Sequence, residues 1–200
     1  MTPTHLTVEG FLRFFEKTEI DFTTFTAATI TGANGNGKSS LCIDAILFAL
    51  FGRARVRDCL NILTNEGFVE LAFVHKGQNY TVHRSLLRDK GQKLTVKTDE
   101  EDLTERLLSK TQEKLNNILG FSDVLLRATC MSSQDQANFF SDLSGPERAN
   151  ILMELLDLEV WEKKKELAQE WCLIHKGAEE QRTVLQKELL ALEIIIQANR

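Results

Sequence analysis

The spacing of hydrophobic residues changes along this chain, and each change marks a different kind of element. Leu6-Thr7-Val8 and Glu19-Ile20-Asp21-Phe22 alternate and predict short strands, and Thr26-Ala27-Ala28-Thr29-Ile30-Thr31 predicts a short buried strand. From Ser40 to Phe51 the apolar residues Leu41, Ala45, Phe48 and Ala49 fall at helical spacing. Alternation returns in Phe68 to Val74 and again in Tyr80 to Leu86, with Lys76-Gly77-Gln78-Asn79 as turn chemistry between them, so a β-hairpin is expected. Asp89-Lys90-Gly91 makes a second turn before Lys93 to Lys97, which extends the hairpin into a meander. Strands that follow one another directly differ from the strict strand-helix alternation of a doubly wound sheet.

Beyond the meander the pattern becomes helical. Leu103, Leu107, Leu108, Leu115 and Leu119 predict a helix over 101–119, with Thr98 to Glu101 as a capping box and Gly120 as its stop. A short helix is expected around Asp123 to Arg127, and Ala128 to Ser132 reads as a buried strand leading to the polar run Ser133-Gln134-Asp135-Gln136. Ser144-Gly145-Pro146-Glu147 combines a capping serine, a first-turn proline and a glutamate three residues on. Leu143-Ser144-Gly145 is therefore read as a helix cap. After it, Leu167, Trp171, Ile174 and Ala178, then Leu185, Leu189, Leu192 and Ile196, step by four, three and four, out of phase as in a coiled-coil stutter. Two regions follow: a globular one over 1–145 and a helix leading into a coiled coil over 146–200. The apolar stripe needs a partner, either the globular region or the return arm of an antiparallel coiled coil.

Composition adds limits. A hydrophobic content of 42% supports one substantial core with an extension. No apolar stretch is long enough for a membrane span and the N-terminus has no signal-like core, so a cytoplasmic protein without a membrane partner is expected. Cys42, Cys59, Cys130 and Cys172 are widely spaced and suit reduced thiols rather than a zinc or disulfide framework. A net charge of −5 excludes a chain whose whole surface is a nucleic-acid footprint. Gly52 to Arg57 still offers a local basic run through Arg53, Arg55 and Arg57, open to readings as a solvated loop, a DNA backbone contact or a packing surface.

The residues that carry chemistry are Gly32-Ala33-Asn34-Gly35-Asn36-Gly37-Lys38-Ser39, which fit G-x-x-x-x-G-K-[ST] between a predicted strand and a predicted helix. Glycines let successive N–H groups converge on phosphate oxygens, Lys38 brings a compact positive charge, and the Ser39 hydroxyl suits Mg²⁺. ATP or GTP is the expected ligand.

With Glu19 to Phe22, Lys38-Ser39-Ser40-Leu41, Asp44-Ala45-Ile46, Ala49-Leu50-Phe51-Gly52 and Val69 to Phe73 in order, the sequence resembles the N-terminal part of the SbcC-type SMC-like ATPases of double-strand-break repair. Gly77, Tyr80, Val82 and Arg84, then Ser133 to Gln136 and Glu147-Arg148 before the long helix, continue the resemblance; Asp135 stands where the family has glycine. It implies an α/β fold, the N-terminal lobe of an ABC-type phosphate-loop ATPase with an antiparallel β meander and a C-terminal coiled-coil helix. It also implies that Gly32 to Ser40 hold ATP, that Ser39 and Gln134 ligate Mg²⁺ with Gln134 as catalytic sensor of the γ phosphate, and that Arg13 approaches the nucleotide. A C-terminal half of the same protein would supply the signature loop, the acidic strand end and the activating glutamate. No run of four apolar residues followed by Asp-Glu occurs after Gln134. ATP-mediated homodimerisation, an SbcD-like nuclease partner, DNA and association with the nucleoid are the further implications. Two alternatives share the phosphate loop: an SMC or RecF-like DNA-tethering or loading ATPase without a nuclease, and a phosphate-loop small-molecule kinase, which should carry an arginine-rich lid.

Overall fold

The computed structural model describes residues 1–132, 139–156 and 158–198, with the backbone alone for 159, 162, 178–180 and 191–198. Two compact units, Met1–Arg148 and Ala149–Arg200, divide the chain.

The first unit is built on an antiparallel sheet with strand order β2-β1-β3-β4-β5. Its strands are β1 (Thr2–Glu9), β2 (Thr18–Asp21), β3 (Glu66–His75), β4 (Gln78–Leu87) and β5 (Gly91–Thr98). Leu6 lies opposite Leu71, Leu71 opposite Val82 and Val82 opposite Val96, so one face of the sheet collects a continuous apolar row. Leu6, Val8, Val69, Leu71, Phe73, Val82, Leu94 and Val96 are all buried there. A slip of one residue in any strand would turn that row to the other face, which is why the register is well specified. The β3–β4 turn uses Lys76 (φ +51°) and Gly77 (φ +80°), the left-handed pair that a two-residue hairpin requires. On the opposite face the strands carry polar pairs, such as His83 Nδ1 at 3.1 Å from Glu70 Oε2, with the His83 ring stacked on Phe68.

A helical segment covers the apolar face. It opens at Lys38, passes through a wide π-helical turn (Ser40–Asp44) and continues as α1 (Ala45–Phe51). Ala45, Leu47, Phe48, Ala49 and Leu50 are buried, so α1 is apolar almost all round, as a helix inside a core must be. Gly52, in the left-handed region at φ +69°, ends it by donating its N–H to Phe48 O. Next come α2 (Leu108–Leu119), packed through Thr111, Leu115 and Leu119, and α3 (Asp123–Cys130), capped by the Ser122 hydroxyl accepting from Leu125 N–H. A single turn, α4 (Phe139–Asp142), precedes α5 (Gly145–Leu155), whose cap is the expected one: the Ser144 N–H and hydroxyl both donate to Glu147 Oε2. The long helix α6 (Glu159–Ala198) leaves Leu167, Trp171, Ile174, Leu185 and Leu189 exposed along its stripe. Among the described residues no helix is long and apolar enough to cross a membrane.

Four expectations change. Thr26 to Thr31 is not a strand: it runs exposed and unpaired to either sheet edge, and Ile30 stays open to solvent. A β-prone segment becomes a strand only beside a partner that takes its N–H and C=O groups. The helix over 101–119 starts at Leu108 instead, because 101–104 lies along β5: Thr98 N–H bonds Glu101 O and Leu103 N–H bonds Val96 O. Ala128 to Cys130 belongs to α3 rather than to a strand. The terminal helix is interrupted between Leu155 and Glu159, where Leu158 N–H reaches back to Met153 O.

Phe73 is 1% exposed and stacks on Tyr80 at 5.4 Å between ring centroids. Phe73→Ala is expected to cost about 3–5 kcal/mol of unfolding free energy, as a shift of the urea midpoint at unchanged slope.

Candidate nucleotide-binding site

The glycine-rich loop is shaped by backbone conformations that side chains resist. Gly35 and Gly37 both sit at φ +83°. A Cβ at Gly37 would also come within 3.1 Å of the Phe14 ring and 3.3 Å of Arg13 Cβ, so this glycine allows the loop to approach the β1–β2 connection. The Lys38 ammonium folds over the loop, donating to Gly32 O at 2.6 Å and Ala33 O at 2.9 Å. Leu41 N–H bonds Gly37 O, so helical pairing begins at the loop's last glycine. Ser39 is exposed in that first turn, and the N-terminal end of a helix favours an anion.

Arg13 reaches the loop because of a tight turn that the sequence does not advertise. Phe11 and Phe14 exchange both backbone hydrogen bonds, and Leu12 between them takes φ +49°, a strained value for leucine. Three contacts from a distant segment hold it: Leu12 N–H donates to Cys59 O, Asn61 Nδ2 donates to Leu12 O at 2.7 Å, and Asn61 N–H donates to Gly10 O. Arg13 Nη2 lies 3.9 Å from where a Cβ on Gly35 would be. The Cys59 thiol is buried here, and burial with the charges of Asp44 and Asp58 pushes it up to about 11.

Beside the loop is a groove of about 820 Å³, lined by Leu12, Arg13, Phe15, Ser40, Asp44 and Arg55 and closed by Leu60 to Leu63. Ile62 and Leu63 are exposed on its rim. The role of 58–63 is missed in the sequence; Asn61 followed by two aliphatic residues outside any periodic element was the available signal. Arg55, expected only as part of a basic run, has a defined partner. Its Nε and Nη2 reach the two oxygens of buried Asp44 at 2.9 Å each, and its backbone N–H adds a third bond at 3.1 Å. Arg53 is exposed, with Asp123 at 3.8 Å. Gln134, with its neighbours Ser133, Asp135 and Gln136, lies outside the described residues.

The structure thus brings together Gly32 to Ser40 and Arg13 in one place, with the groove alongside. These residues fit a nucleotide and a divalent ion by donor chemistry: backbone N–H groups at a helix start, one ammonium, one guanidinium and one hydroxyl oxygen. Fold and loop define the class as an α/β phosphate-loop ATPase. Comparison places it more closely: the chain belongs to the AAA domain family, whose sequence model matches residues 5–197. It is 33% identical over 196 residues to a probable DNA double-strand break repair Rad50 ATPase of Aquifex aeolicus, covering 94% of this chain and 19% of that protein. It is 41% identical over 91 residues to the SbcC component of the SbcCD nuclease of Deinococcus radiodurans, covering 42% and 10%. The SMC head domain from Thermotoga maritima superposes with a TM-score of 0.38 at 21% identity, over 78% of this chain and 72% of that one. The chain spans about a fifth of the length of the Aquifex relative.

Arg55→Ala would leave the Asp44 carboxylate, 1% exposed, without its guanidinium, and is expected to cost about 3 kcal/mol of stability. Asp44→Ala is expected to cost less, since the Arg55 side chain is 31% exposed and can recover water. Chemical denaturation of the two variants reads the asymmetry.

Proposed function

We propose that this chain is the ATP-binding N-terminal half of an SbcC-like ATPase that works in DNA double-strand-break repair and end processing. The single observation behind the reading is that Lys38 and Arg13 both lie against one glycine loop at the start of a buried helix. In this reading Gly32 to Ser40 hold the triphosphate, Arg13 neutralises phosphate charge, and the groove bounded by Leu12, Ile62 and Leu63 takes the base. Mg²⁺ would be held by Ser39 and Gln134, supplying charge stabilisation to the phosphates, with Gln134 as the catalytic γ-phosphate sensor. A C-terminal half would complete the site. Positioning and charge carry phosphoryl transfer, so this half alone binds ATP with little hydrolysis.

The names of the relatives support an SbcD-like nuclease and DNA as partners; an ATP-dependent homodimer is a further part of this reading. γ-Phosphate contacts made only in the engaged dimer would favour it, and their loss would release it. The SMC or RecF-like reading, tethering without a nuclease, differs in whether a metallophosphatase-type nuclease co-purifies with the full-length protein.

Lys38→Ala is expected to abolish ATP binding in equilibrium titration, while Ser39→Ala keeps nucleotide but loses the dependence of affinity on Mg²⁺. Unchanged affinity in Lys38→Ala would sink the assignment of the site.

A further inference from the structure

Among the described residues Arg84 is the largest fully buried side chain, at 1% exposure, and its hydrogen-bond partners there are all neutral. It stands on β4 opposite Val69 and Leu94, on the apolar face of the sheet. Burial lowers its pKa to about 10, which leaves it charged at neutral pH. Its Nε donates to Ala49 O at 3.2 Å and its Nη2 to Gln112 Oε1 at 2.5 Å, with Gln92 Oε1 at 3.5 Å from Nη1. Gln112 in turn donates its Nε2 to Leu50 O at 2.8 Å and to Asn116 Oδ1 at 2.9 Å. The guanidinium carbon lies 5.7 Å from the centre of the Phe48 ring.

These contacts converge on the last turn of α1. Phe48 O takes the Gly52 N–H, Ala49 O takes Arg84 and Leu50 O takes Gln112, so three successive end carbonyls are satisfied by three different segments. The negative end of the helix dipole meets the buried cation there. A Cβ on Gly52 would come within 2.9 Å of Arg84 Nη1, so the absence of a side chain there lets the guanidinium lie against the end of α1. Sliding or rotating α1 by one residue would strip the buried charge of its acceptors, a costly outcome in a dry interior. The other end of the same helical segment carries Lys38, Ser39 and Ser40, and a Cβ on the glycine before it, Gly37, would come within 3.1 Å of the Phe14 ring.

We propose that Arg84, acting through Gln112 and the end carbonyls of α1, is a positioning residue that fixes the phosphate loop for its nucleotide. Strand β4 sets the place of α1 along its axis, and α1 sets where Lys38 to Ser40 meet phosphate oxygens. The inference rests on the nucleotide-binding reading above but concerns a residue that touches no ligand.

The test measures ATP affinity of the full-length protein, at a temperature where circular dichroism shows each variant folded. Arg84→Met keeps an apolar stem and is expected to weaken ATP binding by roughly tenfold, in line with the penalty for small misplacements of binding groups. Arg84→Lys, which keeps the charge, should recover part of it. Leu94→Ala, in the same core layer, lowers stability without removing a bond to α1 and should leave affinity within about twofold of wild type. Equal losses in Arg84→Met and Leu94→Ala, or none in either, would overturn the proposal by reducing Arg84 to a structural residue. If Arg84→Met does not fold, Gln112→Leu carries the same comparison. Wild-type protein that fails to bind ATP would instead overturn the nucleotide-binding reading, and Lys38→Ala in the same series separates the two failures.

Discussion

A helix surrounded by apolar side chains must still satisfy the polar groups that its packing takes from water, and much of this lobe is arranged around that need. The helical segment after the glycine loop buries five residues of α1 against the sheet. Its one buried carboxylate, Asp44, is bound through both oxygens by Arg55. Its terminal carbonyls are taken by Gly52, Arg84 and Gln112. An unmade hydrogen bond in such a place costs far more than a made one contributes, so these polar contacts specify position more than they add stability. The consequence is a helix whose position is set by β4, α2 and the segment after Gly52, and whose first turn presents Lys38 and Ser39 at the loop.

The site inherits its geometry from this arrangement. The loop closes over itself through Lys38, and the β1–β2 connection lies against it because Leu12 accepts a left-handed conformation. Asn61 offsets that strain with hydrogen bonds to Leu12 and Gly10. The segment following α1 therefore both clamps Asp44 and supports the turn that carries Arg13, so the position of Arg13 and the groove wall depend on the same stretch of chain. For Lys38 to meet a phosphate, its ammonium would have to leave Gly32 O and Ala33 O.

The meander was legible because strict alternation over Phe68 to Val74 and Tyr80 to Leu86, with glycine in the turn, admits few other structures. The glycine loop was legible because its spacing has a mechanism. Thr26 to Thr31 misled for the reason that strands are defined by partners, and local β propensity cannot supply one. The start of α2 misled because Thr98 with Glu101 makes a capping pattern and an edge-pairing turn from the same residues, and only the free edge of β5 decides between them. Arg55, Asn61 and Arg84 were obscure as individual residues. Their partners lie 11, 49 and 35 positions away in sequence, beyond any local pattern.

Hydrogen exchange of the backbone amides, with and without Mg·ATP, tests most directly whether the glycine loop and the groove beside it form the nucleotide site. Amides of residues 32–41 and 60–63 should slow markedly on saturation, because loop N–H groups gain phosphate acceptors and the groove rim gains a base. Unchanged exchange over 32–41 in the presence of saturating Mg·ATP would contradict it.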